Sequence, residues 1–142
     1  MPGDRPVQVC RRIIFSSGYR YWRDELSKDE NLSLFGKQAS RTGFGHNFVL
    51  EAVLEGTIDP RTGMVINLRE VDSMLKQVVA PLDHHFLNTD VAFFSDRIPT
   101  PENIARYCYE RLLGRLDGDK LSLRKVRLWQ GEDLFVDYGE LG

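Results

Sequence analysis

His46 lies in Gly43-Phe-Gly-His-Asn-Phe48, a run with no other group able to ionise near neutral pH. A lone imidazole on a strand reads either as a ligand-binding group or as a hydrogen-bonded core residue. The other two histidines, His84 and His85, are adjacent. Neighbouring side chains diverge on a strand or a helix, so this pair cannot converge on one metal ion. Asp83 precedes His84 directly, and such a pair can relay a proton or cap a helix end. Cys10 and Cys108 fall in apolar patterns and read as two buried, reduced thiols. The cluster Arg20-Tyr21-Trp22-Arg23 can stack on a flat heterocycle, hold a phosphate or form a subunit contact.

The chain of 142 residues is 42% hydrophobic and 28% charged, with a net charge of −2. That composition points to one globular domain, with residues 1–6 as a flexible leader and 7–142 as the folded unit. It excludes a disordered tail and disfavours nucleic acid as a partner, because no cationic surplus exists to neutralise phosphates. Apolar runs are too short to cross a bilayer, and no secretion signal precedes the first strand pattern, so the expected location is cytoplasmic.

Alternation from Val7 onward predicts a first strand, with Val7, Val9, Arg11, Ile13 and Phe15 on one side. Cys10 and Ile14 on the other side imply that both faces are partly covered. Residues 16–44 read as a long irregular segment, helical only weakly around 30–35. A second strand is expected over 46–55, then a turn over 56–63 and a short extended stretch over 64–67. Leu68, Val71, Leu75, Val78 and Val79 recur at helical spacing, predicting an amphipathic helix over 68–80 that stops near Pro81. Thr100-Pro101-Glu102 begins another helix: Thr100 as N-cap, Pro101 in the first turn, Glu102 at the positive dipole end. Its core face is expected to be Ile104, Cys108, Leu112 and Leu113, ending at Gly114. Residues 125–130 and 134–138 read as a closing hairpin. The fold class is α+β: a four-stranded antiparallel sheet with two helices on one face, in the order ββααββ.

The segments Phe15-Ser-Ser-Gly-Tyr-Arg20, Phe35-Gly-Lys-Gln38, Gly43-Phe-Gly-His-Asn-Phe48, Gly63-Met-Val-Ile-Asn-Leu68, Leu82-Asp-His84 and Pro99-Thr-Pro-Glu-Asn103 resemble the 6-pyruvoyl-tetrahydropterin synthase and 6-carboxy-tetrahydropterin synthase family. They occur in family order from about residue 8 to 138. The resemblance implies the tunnelling fold, in which strands of three subunits close into a barrel and two trimers stack as a homohexamer. It also implies a zinc-dependent carbon–oxygen or carbon–carbon lyase acting on dihydroneopterin triphosphate.

The residues at the family's chemical positions differ. Where the family holds zinc with three histidines, this chain has Tyr19, Phe44 and His46, and one imidazole is too few for a catalytic zinc site. Gln38 stands in the place of the family's catalytic cysteine and cannot ionise. Gln130 stands where a glutamate anchors the pterin, with Glu132 two residues on as a possible replacement. Asp83 and His84 match the family's proton-relay dyad, while Thr100 and Glu102 match positions lining its pocket. Arg20 and Lys37 stand where relatives carry basic residues. His85 has no carried-over role and reads as surface.

The expected function is that of a divergent family member without the zinc-dependent lyase reaction. It would keep an inter-subunit pocket for a pterin- or purine-like heterocycle, lined by Tyr19, Gln38, Phe44, His46, Thr100, Glu102 and Gln130. No cofactor and no metal are expected. Two alternatives stand beside it. One is a metal-free enzyme using Asp83 and His84 as proton relay and Tyr19 as acid. The other is a non-catalytic partner subunit of an active relative.

Overall fold

Alternating residues of Val7–Tyr19 form β1, which pairs antiparallel with β2, Phe44–Gly56, from Val7 opposite Gly56 to Tyr19 opposite Phe44. The computed structural model describes residues 5–116 and 121–142, so most of the expected leader, 1–4, lies outside the described residues. Between these strands stands α1, Lys28–Phe35, followed by a 3-10 turn at Gly36–Gln38. Then come α2, Leu68–Val79, the single turn α3, Leu87–Asp90, and α4, Pro101–Leu113. Strands β3, Leu121–Gln130, and β4, Leu134–Gly139, complete a four-stranded antiparallel sheet in the order β1-β2-β3-β4.

One face of the sheet makes the core. Phe15, Phe48, Leu50, Ala52, Leu54, Leu123, Val126 and Leu128 join Val71, Leu75 and Val78 of α2 and Ile104, Cys108 and Leu112 of α4. Burying a side chain of this size stabilises by about 2 kcal/mol. The caps behave as expected: Thr100 Oγ1 accepts from the Asn103 amide at 3.2 Å, with Pro101 in the first turn.

Several expectations need correction. The opposite sheet face carries no helix: Val49, Glu51, Val53 and Trp129 on it are half-buried, whereas Ile14 is 68% exposed. Cys10 is exposed on that face, so only Cys108 is a buried thiol, its pKa pushed up to about 12 by burial. Leu113 is exposed, because the buried positions of α4 end with Leu112. Residues 64–67 form no strand: Met64 makes one bridge to Asp59, and Asn67 turns away to cap α2.

The element order also gains two short helices. Helix α1 lacks an apolar stripe and rests instead on local polar bonds. Ser27 and Glu30 form a reciprocal capping box. Asn31, fully buried, donates to the carbonyls of Arg23, Leu26 and Ser27 and accepts from the Arg23 amide.

Candidate functional site

The ladder between β1 and β2 sets Ser17 opposite His46, Gly18 opposite Gly45 and Tyr19 opposite Phe44. This register gathers an aromatic cluster at one end of the sheet. Tyr19 is fully buried, and its ring lies 5.7 Å from that of His46, tilted by only 20°. Its hydroxyl meets His46 Nδ1 at 2.5 Å. Around Tyr19 stand Tyr21 at 5.3 Å, Phe48 at 6.1 Å and Phe44 at 6.4 Å between ring centroids, and Phe35 packs on Tyr21 at 6.1 Å.

Burial raises the Tyr19 phenol above the ordinary tyrosine range. Tyr19 therefore stays a neutral hydrogen-bond donor near neutral pH. Tyr21 is raised too, chiefly by burial, and the Glu102 carboxylate of α4 adds to the shift.

Beside the cluster runs an open groove of about 450 Å3, lined by Ser16, Ser17, Gly18, Gly45, His46, Asn47 and His84. Segment 82–86 forms one wall by pairing along the end of β1. The His84 amide donates to the Ser16 carbonyl at 2.6 Å, and the Gly18 amide donates to that of His85 at 2.9 Å. Asp83 Oδ1 accepts from the Ser16 amide at 2.9 Å and sits 2.9 Å from His84 Nδ1. The Ser16 amide, with His84 beside it, holds the Asp83 carboxyl below its ordinary value. Asp83 thus ties the loop to β1 rather than capping a helix. His84 occupies the left-handed region at φ 59°, sparsely populated by residues other than glycine, with its side chain largely exposed.

The sequence-predicted residues therefore divide. His46 and His84 share the groove, while Tyr19 and Phe44 form the aromatic wall behind it. Gln130 pairs with Phe48 at the end of β3, and its buried Oε1 has no hydrogen-bond partner among the described residues. Glu132 lies in the exposed β3–β4 turn. Gln38 ends an exposed 3-10 turn, Thr100 is committed to its cap, and neither lines the groove. Lys37 and His85 are exposed. The arginines of the 20–23 cluster are already paired, Arg20 with Asp24 and Arg23 with Glu25.

Sequence reasoning missed Tyr21 and Phe35 as ring partners, and Ser16, Gly45 and Asn47 as groove walls. All belong to segments it singled out. What it lacked was the register that places 16–19 against 44–47.

Residues 8–140 match the family described as 6-pyruvoyl tetrahydropterin synthase. The chain belongs to that family. It is 39% identical over 133 residues to the 6-pyruvoyl tetrahydrobiopterin synthase of Homo sapiens, covering 93% of this chain and 90% of that one. A dihydroneopterin monophosphate aldolase of Pyrococcus furiosus is 38% identical over 93 residues, 66% of this chain and 75% of its own. The solved 6-pyruvoyl tetrahydropterin synthase of Caenorhabditis elegans superposes with a TM-score of 0.87 at 32% identity, covering 95% of this chain and 96% of that one.

Proposed function

We propose that this member of the 6-pyruvoyl tetrahydropterin synthase family binds a pterin- or purine-like heterocycle without running a zinc-dependent lyase reaction. The observation that carries the reading is the Tyr19 hydroxyl on His46 Nδ1 inside an aromatic cluster. The residues present do not fit zinc. Phe44 offers no donor atom and Tyr19 a neutral phenol, while His46 already spends one nitrogen on that phenol. Gln38, in the position of the family's catalytic cysteine, supplies no thiolate.

What this end of the sheet can do is stack and hydrogen-bond. Flat rings favour offset stacking on aromatic side chains, and the buried Gln130 Oε1 is an acceptor suited to a ring N–H or amino group. The helix-free second face of the sheet supports assembly as a homohexamer of two trimeric barrels, and Thr100 and Glu102, which match the family's pocket-lining positions, would line a pocket at a subunit contact. The test is binding of pterin, followed by fluorescence, with and without a chelator, beside a lyase assay on dihydroneopterin triphosphate with added zinc. The reading expects binding that ignores the chelator and no turnover. Zinc-dependent turnover would overturn it.

A second reading rests on the Asp83–His84 contact and the left-handed backbone at His84, which turns this imidazole toward the groove. Strained polar residues of this kind cluster at working sites. It makes the chain a metal-free enzyme with Asp83 and His84 as proton relay. It expects turnover that survives a chelator and collapses in His84→Ala.

A further inference from the structure

The hydrogen bond between Tyr19 and His46 has a direction that proton bookkeeping decides. A neutral phenol carries one hydrogen, and a neutral imidazole carries one on either Nδ1 or Nε2. Tyr19 is fully buried, and His46 Nδ1 is the sole hydrogen-bond partner recorded for its hydroxyl among the described residues. If Nδ1 were the donor, the phenol hydrogen would be buried with no acceptor, a loss of about 1–3 kcal/mol. The phenol therefore donates and Nδ1 accepts. The ring's remaining proton then sits on Nε2.

We infer that Tyr19 holds His46 in the Nε2–H tautomer, which turns the imidazole from a lone-pair donor toward a cation into a hydrogen-bond donor toward a ligand acceptor. Both lone-pair sites of the ring are then used, one by the phenol and one by its own proton. His46 is an exposed residue on the wall of the groove, and it presents an N–H there. The chemistry it recognises is a carbonyl oxygen or an unprotonated ring nitrogen on a flat heterocycle. This deepens the binding reading above and rests on it for the ligand, while the tautomer itself is a property of the free protein. Tyr19 acts here as a positioning residue, through His46.

Long-range proton–nitrogen correlation spectra of the full chain test it directly. The chain has three histidines, so His84→Gln and His85→Gln suffice to assign the His46 signals. The expected pattern for His46 is a single tautomer with unprotonated Nδ1 and protonated Nε2. Tyr19→Phe keeps the ring among its aromatic neighbours and should convert that pattern to a tautomer mixture. A protonated Nδ1 in the unaltered protein, or an unchanged pattern in Tyr19→Phe, would overturn the inference. Added pterin should shift Nε2 and leave Nδ1 in place. Pterin bound without moving Nε2 would remove the donor role, whereas failure of pterin to bind would count against the heterocycle reading while the free-protein spectrum still decides the tautomer.

Discussion

Asp83 shows how a residue that looks catalytic in sequence also carries structure. Its carboxylate accepts from the Ser16 amide and faces His84, and these contacts lower its pKa in the folded chain. A lowered carboxylate contributes stability that is fully present above its unfolded pKa, near pH 4, and is lost as pH falls through the folded value. The stability difference between the parent chain and Asp83→Asn, measured by denaturant titration, should therefore be largest at neutral pH and shrink below about pH 4. A difference independent of pH would mean that the charge contributes nothing. Tyr19 illustrates the converse: a bulky apolar-looking ring in a strand pattern whose one polar atom decides what its neighbour His46 can do.

At the scale of elements, α2 and α4 rest on buried apolar faces and α1 on local polar bonds. Helix α4 combines an apolar face with a polar start, and removing its N-cap by Thr100→Ala should cost about 1 kcal/mol in denaturant titrations. A much larger loss would show that Thr100 has a second role. The apolar faces of α2 and α4 were legible because burial repeats at helical spacing, and the strands because apolar residues alternate. Helix α1 showed only as a weak helical signal around 30–35: it is held by Ser27, Glu30 and Asn31 bonding to nearby backbone, which leaves little periodic apolar signature. Of the candidate site, His46 stood out as a lone imidazole and the Asp83–His84 dyad came from the family resemblance, and the fold sets His46 and His84 on one groove. The resemblance put Tyr19 and His46 in one pocket, but the hydrogen bond between them was not legible, since 27 positions separate the partners and its geometry depends on the strand register.

For the whole molecule, the second face of the sheet is the informative surface. Arg12 pairs with Glu51, Trp129 donates to the same carboxylate, and Arg127 and Lys125 share Asp137. Ile14 stands exposed on this face, opposite Val49. Self-satisfied charges beside bare apolar groups suit a surface that meets other copies of the chain, since a lone sheet edge and face would otherwise invite aggregation. On the proposed barrel assembly, Ile14→Asp should reduce the hexamer to smaller species in light scattering without altering secondary structure by circular dichroism. A hexamer unaffected by Ile14→Asp would place the subunit contacts elsewhere.

On the proposed reading, the aromatic cluster around Tyr19 and His46 stands in place of a metal site. This is tested most directly by elemental analysis of the purified, untagged protein after dialysis against a small excess of free zinc. Zinc far below one ion per chain is expected, matching a control dialysed with chelator. Near-stoichiometric zinc would contradict it, because other ligands would then have joined His46, and the metal-dependent lyase would return as the leading reading.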